Sequence, residues 1–143
     1  MGAARGERGR PDTVLEIGTG SGFQTAVLAA LVRRVYSIER VDALLQKARS
    51  RLRTLKLRNV RLRHGDGGQG WSEYAPFGAI IVTAAPQGIP RILINQLVPG
   101  GCMVLPIGRG SQQVLVRVVR TDTGYTHEIL EPVTFVPLLG GVA

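Results

Sequence analysis

Val14-Leu15-Glu16-Ile17-Gly18-Thr19-Gly20-Ser21-Gly22 is the stretch that decides the fold. A short apolar run opens into glycines spaced two apart, and an apolar segment with helical periodicity follows. Strand, glycine turn and helix in this order are how an open α/β sheet presents a ligand at the carboxyl edge of its strands. The spacing narrows the ligand. A dinucleotide fingerprint needs G-x-G-x-x-G, and Phe23 stands where its last glycine would be. Glycine turns after strands also serve tight backbone geometry alone, so the reading needs support from the rest of the chain.

Periodicity along the chain supplies it. Thr13–Ile17 reads as a strand apolar enough to be buried on both faces, as parallel strands are. A helix is expected over residues 23–34, with Ala26, Val27, Ala30 and Leu31 at helical spacing. A short strand follows over 35–38 and ends in Glu39. Asp42 is placed to cap a second helix, whose apolar stripe is Leu44, Leu45, Ala48, Leu52 and Leu55. Residues 60–63 form a third strand, leading to His64-Gly65-Asp66-Gly67-Gly68. Residues 79–83 are continuously apolar and therefore expected at the centre of the sheet. A short helix over 89–97, stopped by Pro99-Gly100-Gly101, precedes a fifth strand over 102–107. Residues 114–120 and 125–130 read as a hairpin across Asp122-Thr123-Gly124. The expected fold is therefore α/β: a mainly parallel twisted sheet flanked by helices, with a C-terminal antiparallel hairpin. Residues 1–12 read as a Gly/Arg-rich lead-in and 13–143 as a single domain.

The bulk numbers set limits. A chain of 143 residues, 44% hydrophobic and 20% charged, is an ordinary composition for a globular domain that buries its own core. Its one cysteine, Cys102, makes no internal disulfide and reads as a packed thiol, which fits a reducing, cytoplasmic setting. The first residues have no apolar core of a signal peptide, and the longest early apolar run, 26–32, is too short to span a membrane. His64 and His127 stand outside any metal-ligand spacing, so no metal is expected. The net charge is +8, and 11 of the 18 basic residues fall between Arg33 and Arg63. Such a cluster reads first as a solvated face. The alternative, a polyanion-binding patch, lacks interleaved aromatic residues apart from Tyr36.

E-x-G-x-G-x-G resembles the first motif of the S-adenosylmethionine-dependent methyltransferases. In that setting Gly18, Thr19, Gly20, Ser21 and Gly22 bring backbone close to the amino-acid end and ribose of the cofactor. Glu16 either orients the loop or meets the ammonium through water. Glu39, at the end of the second strand, is placed to accept both ribose hydroxyls. Asp66 is placed to accept from an exocyclic adenine amine, with Gly67 leaving room for the ring; the plainer alternative is an Asx-turn. Trp71 is expected to cap the core beneath a glycine turn. No Ser/His/Asp arrangement can be assembled.

The assembled segments are similar to a narrower family, the protein-L-isoaspartate O-methyltransferases. The matching stretches are Val14 through Phe23-Gln24-Thr25-Ala26, Ser37-Ile38-Glu39-Arg40, Arg63-His64-Gly65-Asp66-Gly67 and Ala79-Ile80-Ile81-Val82-Thr83-Ala84-Ala85-Pro86. Gln96-Leu97 through Pro99-Gly100-Gly101 and Phe135-Val136-Pro137-Leu138 complete the set. The resemblance implies a Rossmann-like class I methyltransferase sheet, S-adenosylmethionine as cofactor, and isoaspartyl peptides and proteins as substrates for repair. It adds Arg40 to the cofactor side. It puts Thr83, Ala84, Ala85 and Pro86 on the substrate side, with Val136, Pro137 and Leu138 in a peptide groove. The family's Ser/Thr-containing segment before the first strand has no counterpart in the 12 residues here, so no catalytic residue is assigned, and Gly78 stands where the family tends to have Asp. A cofactor-binding chain impaired in catalysis is the alternative. A nucleic-acid methyltransferase is disfavoured, because Thr83-Ala84-Ala85-Pro86 stands where amine methylation of adenine uses Asn/Asp-Pro-Pro-aromatic.

Overall fold

The structure, a computed structural model, describes residues 11–143. Its strands are β1 (Thr13–Ile17), β2 (Arg34–Glu39), β3 (Val60–His64), β4 (Phe77–Val82), β5 (Leu97–Arg109), β6 (Gln112–Arg120) and β7 (Tyr125–Val133). Its helices are α1 (Phe23–Leu31), α2 (Asp42–Thr54) and the short α3 (Arg91–Ile94). The strands form one seven-stranded sheet in the order β3-β2-β1-β4-β5-β6-β7. β1 to β5 pair in parallel, and β6 and β7 add an antiparallel hairpin. The expected α/β class is the observed one, and β4 is the middle strand. Most of the lead-in expected over 1–12 lies outside the described residues. Asp12 does not hang free: its carbonyl accepts from Arg34 N–H at 3.3 Å and its carboxylate pairs with Arg33 at 3.1 Å.

The central strands are apolar throughout because both faces are covered. On one face Val14, Val35 and Ala79 pack against Leu28 and Ala29 of α1. On the other, Leu15, Ile17, Tyr36, Ile38, Ile80 and Val82 join Trp71, Phe77, Leu93 and Met103. Trp71 meets Tyr36 edge to face with ring centres 5.7 Å apart, and Tyr36 stacks on Tyr74 at 4.6 Å. The expected core role of Trp71 is therefore played against β2.

Three local expectations need correction. α1 stops at Leu31 and turns a different face inward: Thr25, Leu28 and Ala29 are buried, while Val27, Ala30 and Leu31 are exposed. The segment is apolar nearly all round, so its pattern cannot choose a face. Thr25, donating to Glu16, sets the rotation instead. Asp42 is not a cap: Val41 holds the N-cap position, and Leu44 and Leu55 leave the buried stripe of Leu45, Ala48 and Leu52. Finally, only Arg91–Ile94 is helical within 89–97, and Pro99-Gly100-Gly101 lies inside β5. The register shifts there, from Phe77↔Leu97 to Ala79↔Cys102, so the segment that reads as a stop is a bulge.

Candidate functional site

The carboxyl ends of β1, β2, β3 and β4 converge on the glycine loop, residues 18–22. Three positive φ angles shape it, 99° at Gly18, 55° at Gly20 and 84° at Gly22. Gly18 has a second constraint: a Cβ there would stand 2.2 Å from Thr83 Oγ1. Thr83 closes over the loop from the end of β4, its hydroxyl shared between Ile17 O at 2.9 Å and Gly18 O at 3.2 Å.

A buried polar chain holds the loop from beneath. Glu16 has no solvent exposure. Its Oε1 accepts from Ser37 Oγ at 2.6 Å and from Thr25 Oγ1, and its Oε2 accepts from Gln24 Nε2 at 3.0 Å. Ser37 spends its one proton on Glu16, so Thr19 Oγ1 is the donor in the 2.6 Å bond to Ser37. Burial pushes the Glu16 carboxyl above its ordinary range; the bonds from Ser37, Thr25 and Gln24 oppose that rise, and the charge of Glu39 adds to it. Of the two roles open to Glu16, the geometry supports orienting the loop.

Glu39 does face the site. Its Oε1 accepts from Gly20 N–H at 2.8 Å and its Oε2 from Val41 N–H at 3.0 Å. Two backbone donors fix both oxygens, and each keeps a lone pair for a ligand. Beside it is a cavity of about 350 Å³. Gly18 and Gly20 line it from the loop, Ile38, Glu39, Arg40 and Val41 from the end of β2, Leu44 from α2, and Gly67, Thr83, Ala84 and residues 136–139 from the other loops.

The structure thus brings together Gly18, Gly20, Glu39, Arg40, Gly67, Thr83, Ala84, Val136, Pro137 and Leu138. The expected peptide-groove residues line the same cavity as the expected cofactor residues. Thr19 is buried behind the loop, Ser21 is exposed outside it, and Gly22 packs against Ala48. Gly67 lines the cavity, and a Cβ there would stand 2.3 Å from Ile17 Cγ2, so strand packing by itself already demands the glycine. Asp66 makes the Asx-type bond, Oδ1 accepting from Gly68 N–H at 2.9 Å, and its Oδ2 accepts from Gly141 N–H at 3.1 Å. Ala85 bonds the backbone of Val136 and Leu138, and Pro86 O accepts from Gly108 N–H. Ile38, Val41, Leu44 and Leu139 were not anticipated. The apolar residues flanking Glu39 were the available signal.

Elsewhere, His64 Nε2 lies 2.9 Å from Arg40 O and 3.0 Å from Ala143 O, a structural role. Several cations of the basic cluster are engaged locally: Arg51 donates to Ser21 O, Arg61 to Tyr74 Oη, and Arg63 lies over the Trp71 ring. Among the described residues no three His, Cys, Asp or Glu side chains gather as metal ligands, and no helix is long and apolar enough to cross a membrane.

A parallel sheet with a glycine loop after β1 and a carboxylate ending β2 at one cavity defines a Rossmann-like class I methyltransferase architecture. The model of the protein-L-isoaspartate(D-aspartate) O-methyltransferase family matches residues 9–143, and the chain belongs to that family. The protein-L-isoaspartate O-methyltransferase of Pseudomonas paraeruginosa is 56% identical over 130 residues, 91% of this chain and 62% of that relative. The corresponding enzyme 1 of Marinobacter nauticus is 54% identical over 92% of this chain and 60% of its own length. The chain therefore spans about three-fifths of the curated relatives it matches. A structure from Plasmodium falciparum, assigned as a protein-L-isoaspartate O-methyltransferase and solved with S-adenosyl-L-homocysteine, superposes with a TM-score of 0.80. It is 26% identical, over 90% of this chain and 66% of that one.

Proposed function

We propose that the cavity binds S-adenosylmethionine and that the chain carries the methyl-transfer domain of an enzyme acting on the carboxylate of L-isoaspartyl residues. The observation that carries this reading is Glu39, a carboxylate locked by Gly20 and Val41 amides at the cavity wall. Such a group accepts the two hydroxyls of a ribose and disfavours a phosphate there. Family membership supplies the substrate class, and a cytoplasmic setting goes with repair of intracellular proteins.

Bound there, S-adenosylmethionine supplies an electrophilic methyl group. The chain's own task is placement. Gly18, Gly20 and Glu39 fix the ribose, Leu44, Val41 and Ile38 offer apolar surface to the base, and Thr83 and Ala84 line the side from which substrate approaches. An isoaspartyl carboxylate is already ionised near neutral pH, so no general base is needed. The rate comes from alignment of nucleophile and methyl group with water kept out.

The test is radiolabelled methyl transfer to a synthetic isoaspartyl peptide beside its aspartyl twin. Transfer to the isoaspartyl peptide alone is expected. Methylation of both peptides, or of nucleic acid, would overturn the substrate assignment. A second reading is cofactor binding without transfer, since no side chain at the cavity is assigned a catalytic role. It predicts S-adenosylmethionine binding with no methyl ester formed on either peptide.

A further inference from the structure

We propose that the open edge of β3 takes up an extended, acidic segment of another protein as an added strand, with a glutamate of that segment seated between β3 and α2. The inference concerns a surface outside the cofactor cavity and does not rest on that reading.

The main chain of β3 supplies half of the site. β3 is the last strand of the sheet. Its ladder to β2 runs from Val35 N–H donating to Asn59 O at 2.8 Å to Gly65 N–H donating to Glu39 O at 3.1 Å. In a parallel pair, alternate residues of a strand turn their main chain to the neighbour. Asn59, Arg61, Arg63 and Gly65 therefore face β2, and the N–H and C=O groups of Val60, Leu62 and His64 point outward along the edge. The opposite edge strand, β7, includes Pro132, which has no N–H to give. No proline interrupts β3.

Side chains on both faces of the edge select the guest. From Ala43 to Gly65 the chain has two lysines and six arginines and no Asp or Glu. On the α2 face a cavity of about 260 Å³ is lined by Leu52, Leu57, Val60 and Leu62 together with Arg49 and Arg53. Neither guanidinium has an ion-pair or hydrogen-bond partner among the described residues. A glutamate fits this lining, its methylenes on the aliphatic residues and its carboxylate on the two guanidiniums. On the other face Arg61 Nη1 donates to Tyr74 Oη at 2.6 Å, and Arg63 lies 5.4 Å from the centre of the Trp71 ring. The rings hold these two cations beside the edge, and a guanidinium has five N–H donors, so most remain for a carboxylate. An added strand sends successive side chains to opposite faces. Arginines on both faces therefore call for acidic residues at successive positions. Main-chain bonds give such a guest affinity, and the flanking pockets give it selectivity. A single-stranded nucleic acid needs exposed aromatic faces for its bases, whereas Tyr36 and Trp71 are buried here.

The probe is a fluorescein-labelled octapeptide of alternating Glu and Asp, titrated with the full chain and read by anisotropy. Beside it stand its fully N-methylated form, which keeps the charge but has no N–H to pair, and a single-stranded oligothymidylate. The unaltered chain is expected to bind the acidic peptide, and N-methylation is expected to weaken binding about tenfold or more. Arg49→Ala/Arg53→Ala is expected to weaken it about tenfold as well. Lys47→Ala/Arg91→Ala, which removes the same charge elsewhere, is expected to change affinity less than about threefold. Residue-resolved amide exchange is expected to slow at Val60, Leu62 and His64 on adding peptide and to stay unchanged at Arg61 and Arg63, whose amides already face β2. Equal binding of the N-methylated peptide overturns strand addition. Equal losses in the two double variants overturn the pocket between α2 and β3. Tighter binding of the oligothymidylate than of the peptide overturns the acidic guest in favour of nucleic acid. No binding of the peptide overturns the proposal and leaves the arginines as guards that keep other strands off the edge. If Arg49→Ala/Arg53→Ala does not fold, the N-methylated peptide and the exchange data on the unaltered chain decide.

Discussion

Two walls of one cavity are built in opposite ways. The glycine loop, residues 18–22, is fixed from beneath by buried side chains: Glu16, Ser37, Thr25 and Thr19 in one hydrogen-bonded chain. The facing wall, residues 136–143, is fixed nearer the surface by main-chain bonds and by the side chains of Arg40 and Asp66. A buried polar chain is stiff because breaking any link leaves an unpaired group in a dry place. A surface segment opens at little cost because water replaces each lost bond. One wall of the cavity is tied to the buried core, and the wall facing it is held by bonds that water can replace.

The contrast can be broken, and the largest effect is expected at its root. Glu16→Ala strips the acceptor from Thr25, Ser37 and Gln24 and opens a cavity, so it should cost about 4 kcal/mol of stability. That is about 12 °C in thermal midpoint for a domain of this size, read by calorimetry. Gly18→Ala forces a left-handed residue against Thr83 and should cost about 2–3 kcal/mol and abolish ligand binding. Ending the chain after Leu138 should, by contrast, cost less than about 1 kcal/mol in the ligand-free protein. A melting drop as deep as that of Glu16→Ala would show that the two walls are not different in kind.

Glu16 also sharpens the contrast through pH. Burial raises its carboxyl in the folded chain, so the folded state holds the proton more tightly than the unfolded one. Its favourable contribution is complete below the ordinary glutamate range and is lost as pH rises through the folded value. Denaturant unfolding at a series of pH values should therefore show the unaltered chain losing stability against Glu16→Gln from the ordinary range upward, then running parallel. A rise in the stability of the unaltered chain relative to Glu16→Gln with increasing pH would contradict this. The smallest effect is expected far from the cavity. Arg117 and Glu128 pair at 2.9 Å across β6 and β7 with both side chains exposed, and Arg117→Ala should change stability by less than about 0.5 kcal/mol.

Much of the fold was legible because its signals are local. β1 begins and ends at the residues that apolar continuity suggests, Thr13 and Ile17, and the hairpin follows from two alternating runs around Gly124. Helix α1 was misread in rotation because an apolar segment offers no polar face to exclude, and the bulge in β5 was misread because Pro99-Gly100-Gly101 carries the signal of a stop. The site divides the same way. Gly18, Gly20, Glu39 and Thr83 sit at strand ends, where position in the sequence is position at the edge. Leu44 and Leu139 are 95 residues apart in the chain and share a wall only because α2 and the C-terminal segment meet over β2. No local pattern encodes that meeting.

The central claim is that Glu39, held by Gly20 and Val41, makes this cavity an adenosyl site. The most direct measurement is a calorimetric titration of S-adenosylhomocysteine into the unaltered chain and into Glu39→Gln. The substitution keeps the shape but turns one acceptor into a donor facing a backbone N–H. One binding site on the unaltered chain, weakened at least about tenfold in Glu39→Gln, is the expected result. Equal affinity in the two proteins would contradict it.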